Sequence, residues 1–240
     1  VRALAQHGVT DDPDGVGGCH GHKGTVAAVA DPGSPSEPSV TPARQRGHYF
    51  DDDPAARSDP RTVRLTLPDR TLDLETDRGT FSPGRVDPGT KLLLTELPAH
   101  LPGPVLDLGC GYGPIACTVA ARDPQTEVWA IDVNRRAREL CRLNARTLGL
   151  EVRVEDPDEV PAEVRFRRIV SNPPIRIGKA GLHGLLTHWL DRLTDDGEAW
   201  LVVNRNLGAD SLAAWLVAQG HEVERVRSRQ GYRILRVQPA

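Results

Sequence analysis

Apolar residues recur along this chain with two periods, and the switch between them predicts its elements. In VRLTLPDRTLDLETD, Val63, Leu65 and Leu67, then Leu72 and Leu74, alternate with polar residues around the turn PDRT. That pattern predicts a β-hairpin with one apolar face. The segment FSPGRVDPGTKLLLTELP leads from a glycine- and proline-punctuated loop into a short helix. From Val105 onward, short apolar runs (VLDLG, EVWAIDV, EVRVE, FRRIVSN, EAWLVVN) alternate with stretches of helical period. In RRARELCRLNARTLGL, Ala137, Leu140, Cys141, Asn144 and Leu148 share one helical face, with Asn134 placed to cap it. A later helix carries Leu182, Leu185, Leu186, Trp189, Leu190 and Leu193 as an apolar stripe. SLAAWLVAQG and the ribbon HEVERVRSRQGYRILRV close the chain. Strands alternating with helices imply a doubly wound α/β fold, a mostly parallel sheet covered on both faces, with one closing strand antiparallel.

Residues 1–46 have no apolar period and are rich in Gly, Pro and Asp, so they read as a disordered tail, with the folded domain spanning 47–240. The tail's GGCHGHKG offers Cys19, His20 and His22 as metal ligands. A structural site usually needs four ligands in paired sets and no second set follows, so no structural metal is expected. The four cysteines lack framework spacing and read as reduced thiols. No run of about 18 apolar residues exists and no signal-peptide pattern opens the chain, which predicts a cytoplasmic protein without a membrane span. The net charge of −3 hides an asymmetry. Nine acids and five bases fall in residues 1–60, leaving a body of 24 acids and 25 bases, almost all of the bases arginine.

The chemistry concentrates after the strands. DLGCGYG (Asp107–Gly113) follows a strand and opens a helix, where a doubly wound sheet binds its ligand. Gly109, Gly111 and Gly113 let a ligand approach the backbone. The third glycine follows the second by two residues, not the three of a dinucleotide fingerprint. Asp107 beside the loop would repel a pyrophosphate but suit the ammonium of methionine, so a sulfonium nucleoside is favoured over a nicotinamide dinucleotide. Asp132, at the end of the next strand, is placed to bind both ribose hydroxyls, with Asn134 beside it. After the third strand Glu155, Asp156 and Asp158 offer acceptors for an adenine amine, Asp156 foremost.

The most specific signal is IVSNPPI (Ile169–Ile175), at the end of the fourth strand and beside the point where strand order should reverse. Pro173 and Pro174 cannot continue the ladder and hold the preceding backbone extended. That corner aims the Asn172 side-chain oxygen and the Pro173 carbonyl at one point. Two acceptors there can grip both hydrogens of an NH2 group, turn its lone pair toward a methyl donor and support the charge that develops on nitrogen.

With these residues, the chain resembles the methyltransferase small domain family, which includes bacterial small-subunit ribosomal RNA guanine-N2 methyltransferases. The likeness covers about His48 to Val237 and includes GTFSPGRVDPGTKLLL, NPPIRIGK and GYRILRV. It implies a Rossmann-like seven-stranded sheet of the class I methyltransferase type. It also implies methyl transfer from S-adenosylmethionine to the N2 amine of a guanine in 16S ribosomal RNA, with ribosomal RNA or the small subunit as partner. By the same resemblance Phe81, Asp87 and Thr90 line the cofactor or target pocket, and Arg176 and Lys179 lie near the RNA. Longer relatives carry a second, degenerate copy of the domain, and this chain looks more like the short, single-domain members. Ile175 stands where adenine and protein-glutamine methyltransferases commonly place a stacking aromatic, so Phe81 or another ring must stack, or packing holds the base. The alternatives are another amine or amide acceptor (protein glutamine, DNA adenine or a small molecule) and a cofactor-binding module without turnover. Arg165, Arg167, Arg168, Arg176 and Lys179, with Arg225, Arg227, Arg229, Arg233 and Arg236, read either as a phosphate-tracking rim, with Arg225, Arg227 and Arg229 on one face of the ribbon, or as solvated strand faces.

Overall fold

The alternating segment forms the expected hairpin, β1 (Arg61–Thr66) paired antiparallel with β2 (Thr71–Thr76). Its register sets Val63 opposite Leu74 and Leu65 opposite Leu72, so all its core-facing side chains lie on one face. The computed structural model describes residues 58–78, 80, 82 and 84–239, all within the compact unit Gln45–Ala240. The tail, with Cys19, His20 and His22, and also Phe81, lies outside the described residues.

After the hairpin come α1 (Pro88–Glu96), β3 (Val105–Leu108), α2 (Pro114–Arg122), β4 (Val128–Ile131), α3 (Arg135–Thr147) and β5 (Arg153–Glu155). The second half runs β6 (Phe166–Ser171), α4 (Gly178–Leu190), β7 (Leu193–Asn204), α5 (Ala209–Ala218), β8 (Glu222–Arg229) and β9 (Tyr232–Gln238). Seven of these strands form one sheet in the order β5-β4-β3-β6-β7-β9-β8. The first five are parallel neighbours, and β9 pairs antiparallel with both β7 and β8. One closing strand is therefore antiparallel, as the ribbon pattern predicted, and it is inserted between β7 and β8. The order reverses between β3 and β6, which puts the glycine loop after β3 beside the NPP corner after β6.

Strand periodicity sorts the core into two layers. Val105, Val128, Ala130, Val170, Trp200, Val202 and Ile234 face the hairpin, α1, α2 and α3. Leu106, Leu108, Ile131, Ile169, Leu201, Val203 and Leu235 face α4 and α5. Leu193 departs from expectation: it lies beyond α4, opens β7 and pairs with Phe166. An i, i+3 match of Leu193 to Leu190 carries no information about where the helix ends. Fully buried Phe166 sits edge-on to Trp129, ring centroids 6.2 Å apart, and fills the second layer.

Asn144 of α3, 1% exposed, joins the hairpin to the glycine loop. Its Oδ1 accepts from Glu75 N at 2.7 Å, and its Nδ2 donates to Glu75 O and Tyr112 O, each at 2.8 Å. A buried amide with both ends satisfied is stabilising, but removing it orphans three backbone groups. Asn144→Ala is expected to lower unfolding free energy by at least about 1–3 kcal/mol, the cost of one buried unsatisfied group. Denaturant melts of the two proteins measure the difference.

Candidate functional site

The strand after which the chain first turns carries Asp107, 1% exposed. Its Oδ2 accepts from Ala116 N in the first turn of α2 at 2.9 Å, while its Oδ1 is buried without a hydrogen-bond partner. Burial pushes this carboxyl up to about 8, and the nearby Asp132 charge adds to the rise. An orphaned acceptor of this kind fits a cationic donor. Above it the glycine loop is open: a Cβ on Gly111, at φ +55°, would meet nothing within 4 Å. Gly113 is different, because at φ +92° an added Cβ would fall 2.7 Å from Cys141 Sγ. Its glycine is required both by conformation and by the close approach of α3.

Asp132 leaves the end of β4 and ties the loops together. Its Oδ2 accepts from Gly111 N and its Oδ1 from Asn134 N, each at 2.9 Å. Burial raises its pKa, opposed by those two N–H donors. Asn134 caps α3 by accepting from Ala137 N at 3.2 Å. Arg138, which sequence reasoning missed, donates to Asp132 O and Val133 O and pairs with Asp156 Oδ2 at 3.0 Å. Asp156 also caps its own short turn by accepting from Asp158 N. Both of its oxygens are thus already engaged.

At the corner, buried Ser171 donates to Leu108 O at 2.6 Å and fastens the end of β6 to β3. Pro173 is buried, and the Pro174 ring faces the glycine loop, its Cδ 4.0 Å from where a Gly109 Cβ would stand. Asn172 Nδ2 donates to Asp87 Oδ1 at 2.9 Å and to Thr90 Oγ1 at 3.0 Å. The structure therefore brings Asp87 and Thr90 to the corner, against the amide of Asn172. Ile175 is half-buried and packs with Ile177 against the second core layer. Tyr232, which opens β9 opposite Asn204 at the end of β7, comes close to Asp87 beside Gly89. A Cβ on Gly89 would fall 2.6 Å from Tyr232 Cε1 and 2.9 Å from Asp87 Oδ1. GYRILRV was visible in the sequence, but no local signal tied its tyrosine to a loop some 140 residues earlier.

The arginine rim needs correction. Arg165, Arg167 and Arg168 lie at the amino end of β6, where Arg168 is level with Val105, at the opposite edge from Asn172. Arg167 and Arg168 are paired with Asp196 and Glu198. In the ribbon, a bulge between Arg225 and Arg227 puts them opposite successive residues of β9, so they face opposite layers. Arg225 and Arg233 pair with Asp210, Arg227 with Glu96 and Arg236 with Glu224. The exposed bases at the site edge are Arg85, Arg176, Lys179, Arg205 and Arg229, and none has an acidic partner among the described residues. Arg85 and Arg205 were missed in the sequence.

Among the described residues no cluster could hold a metal ion and no helix is long and apolar enough to cross a membrane. Cys110, Cys117 and Cys141 are free and buried beneath the loop. A hydrogen bond from Cys141 and burial push the Cys110 thiol up, and burial does the same to Cys117, so neither is an activated nucleophile.

The sequence profile described as Methyltransferase small domain matches residues 71–236. The chain belongs to the methyltransferase small domain family. It is an S-adenosylmethionine-dependent methyltransferase with a class I, Rossmann-like sheet. It is 34% identical over 194 residues to the uncharacterized protein YbxB of Bacillus subtilis, covering 79% of this chain and 96% of that one. It is also 34% identical over 149 residues to ribosomal RNA small subunit methyltransferase C of Shewanella amazonensis, covering 60% of this chain and 43% of that one. The chain thus spans less than half the length of the latter relative. In fold it is similar to the T. thermophilus 16S rRNA N2 G1207 methyltransferase solved with AdoMet and guanosine. That TM-score is 0.66 at 24% identity, over 75% of this chain and 51% of that one. A methyltransferase from Pyrococcus furiosus follows with a TM-score of 0.58 at 19% identity, over 70% of this chain and 90% of that one.

If Asp107 meets the cofactor's ammonium, the cation favours its ionised form, so cofactor binding is expected to release a proton. At pH 7, calorimetry in buffers of differing ionisation enthalpy should show release approaching about one proton, and affinity should weaken as pH falls below 8. Asp107→Asn should abolish the release. A wild-type protein that releases none would show that Asp107 does not meet the ammonium.

Proposed function

We propose that the chain methylates the exocyclic N2 amine of a guanine in small-subunit ribosomal RNA, acting in the cytoplasm on the RNA or the assembling subunit. The observation that carries this reading is the corner itself. The Asn172 amide nitrogen is held back by Asp87 and Thr90, which leaves its oxygen for an incoming NH2 group, and the Pro174 ring sets this corner beside the glycine loop. Relatives named as ribosomal RNA small subunit methyltransferases supply the substrate class.

S-adenosylmethionine, when bound, supplies an electrophilic methyl on a sulfonium that is a good leaving group. Asp107 Oδ1 would receive its ammonium, Gly109 and Gly111 would let it approach the loop's backbone while Gly113 lets α3 pack beneath that loop, and Asp132 would hold its ribose hydroxyls. Asn134 would keep Asp132 oriented through its backbone N–H, and Asp156 would meet the adenine amine alongside Arg138. Asn172 Oδ1 and Pro173 O would accept the two amine hydrogens and aim the nitrogen lone pair. As the N–C bond forms and the C–S bond breaks, the same two acceptors would stabilise the positive charge on nitrogen, and the proton would leave to water afterwards. Holding donor and acceptor in line can contribute about 7–11 kcal/mol in favourable cases. Arg176 and Lys179, beside the corner, and Arg205 and Arg229, across it, would meet phosphates. Ile175 has no ring to stack, so a neighbouring ring or simple packing, the exposed part of Ile175 included, would hold the base.

Labelled methyl transfer to small subunits lacking the modification, with nucleoside analysis of the product, tests the reading. N2-methylguanosine is expected from wild type, and Asn172→Ala should slow transfer by about 10²–10³-fold with cofactor affinity retained. Label in a protein amide, in DNA adenine or nowhere would reject the RNA assignment. Arg205→Glu with Arg229→Glu should raise KM for RNA and flatten its salt dependence, leaving cofactor affinity unchanged. An unaltered KM would remove these bases from the interface.

A further inference from the structure

We infer that Asp87 and Thr90 are positioning residues that lock the orientation of the Asn172 amide, and so decide that an acceptor, not a donor, faces the target amine. This rests on the reading of Asn172 as the amine clamp. The resemblance assigned both residues to the pocket wall, whereas the geometry gives them a partner.

An asparagine amide is nearly symmetric in shape, and only its neighbours determine which end points where. A carboxylate accepts and never donates. Asp87 Oδ1 takes two N–H groups, Thr90 N at 3.0 Å and Asn172 Nδ2 at 2.9 Å. The second hydrogen of Asn172 Nδ2 goes to Thr90 Oγ1 at 3.0 Å. Both amide hydrogens are thereby directed away from the corner. Were the amide turned over, its oxygen would face the carboxylate, acceptor against acceptor, and its NH2 would face the hydrogens of the substrate amine. The anion behind the nitrogen also polarises the amide and strengthens its oxygen as an acceptor, at the place where positive charge develops.

Asp87 is itself held from three sides. It is the N-cap of α1, Thr90 is buried one turn into that helix, and Gly89 leaves only enough room for Tyr232 to close over it. The sequence DPGT thus acquires a physical meaning at each position. Asp caps and accepts, Pro opens the helix, Gly admits the ring, and Thr offers a hydroxyl.

Asn is as good an N-cap as Asp, so Asp87→Asn keeps the helix while replacing an acceptor-only group by one that can present either end. In the full chain, Asp87→Asn is expected to lower kcat by about tenfold or more, with KM for RNA and cofactor affinity little changed. Thr90→Val should do the same more weakly, and Thr90→Ser should restore the rate. A second readout needs no turnover. The Asn172 side-chain amide, assigned by its loss in Asn172→Ala, should show two slowly exchanging, hydrogen-bonded protons in ¹⁵N–¹H spectra of the protein alone. Those signals should move or exchange-broaden in Asp87→Asn. Wild-type kcat in Asp87→Asn, or an Asn172 signal unmoved by it, would overturn the lock. If the wild type transfers no methyl to RNA, the substrate reading fails on its own and the spectra still decide the lock.

Discussion

Five parallel strands covered on both faces leave their carboxyl edge as the place where polar groups can act. Layers built from Val105, Val170 and Val202 on one side and Leu106, Ile169 and Leu201 on the other exclude water from the body of the sheet. Strands that point the same way deliver their following residues to the same edge. Asp107 near the end of β3, Asp132 after β4, Asn172 after β6 and Asn204 at the end of β7 therefore meet without long connections. Because strand order reverses between β3 and β6, a crevice opens where the glycine loop and the prolines face each other.

Within that crevice, the cost of burying polar groups determines what each can do. Asp107 and Asp132 are both pushed up by burial, yet only Asp132 has both oxygens satisfied by the protein. The unsatisfied oxygen of Asp107 is the exception that suits a cationic ligand. Asn144 and Asn172 are a matching pair of amides. Asn144 is satisfied at both ends and holds structure together. Asn172 is satisfied only at its nitrogen, which leaves its oxygen for a partner.

Charge is distributed on the same principle. Along the ribbon Arg225, Arg227, Arg233 and Arg236, and at the amino edge of β6 Arg167 and Arg168, are paired with carboxylates, which gives a solvated surface of mixed sign. Exposed pairs of that kind contribute little to stability and present little net potential. Five exposed bases without an acidic partner among the described residues lie at the edge where the corner opens, so the near-neutral body still offers a phosphate-bearing ligand a favourable approach.

The sequence by itself determined the hairpin, the alternation of strands and helices, the capped face of α3, the glycine loop and the NPP corner. Each is written in neighbouring residues: a period of two or 3.6, a cap, a positive φ, a ring that cannot donate. Only the tertiary structure decided which groups face one another. Leu193 continued a helical spacing but belongs to a strand, because Phe166 is there to pair with it. Arg225 and Arg227 alternated in sequence but part across a bulge. Asp87 and Asn172 are 85 residues apart, and neither one's surroundings name the other. Their contact follows from the packing of α1 across the sheet, a long-range consequence of burial that no local pattern encodes.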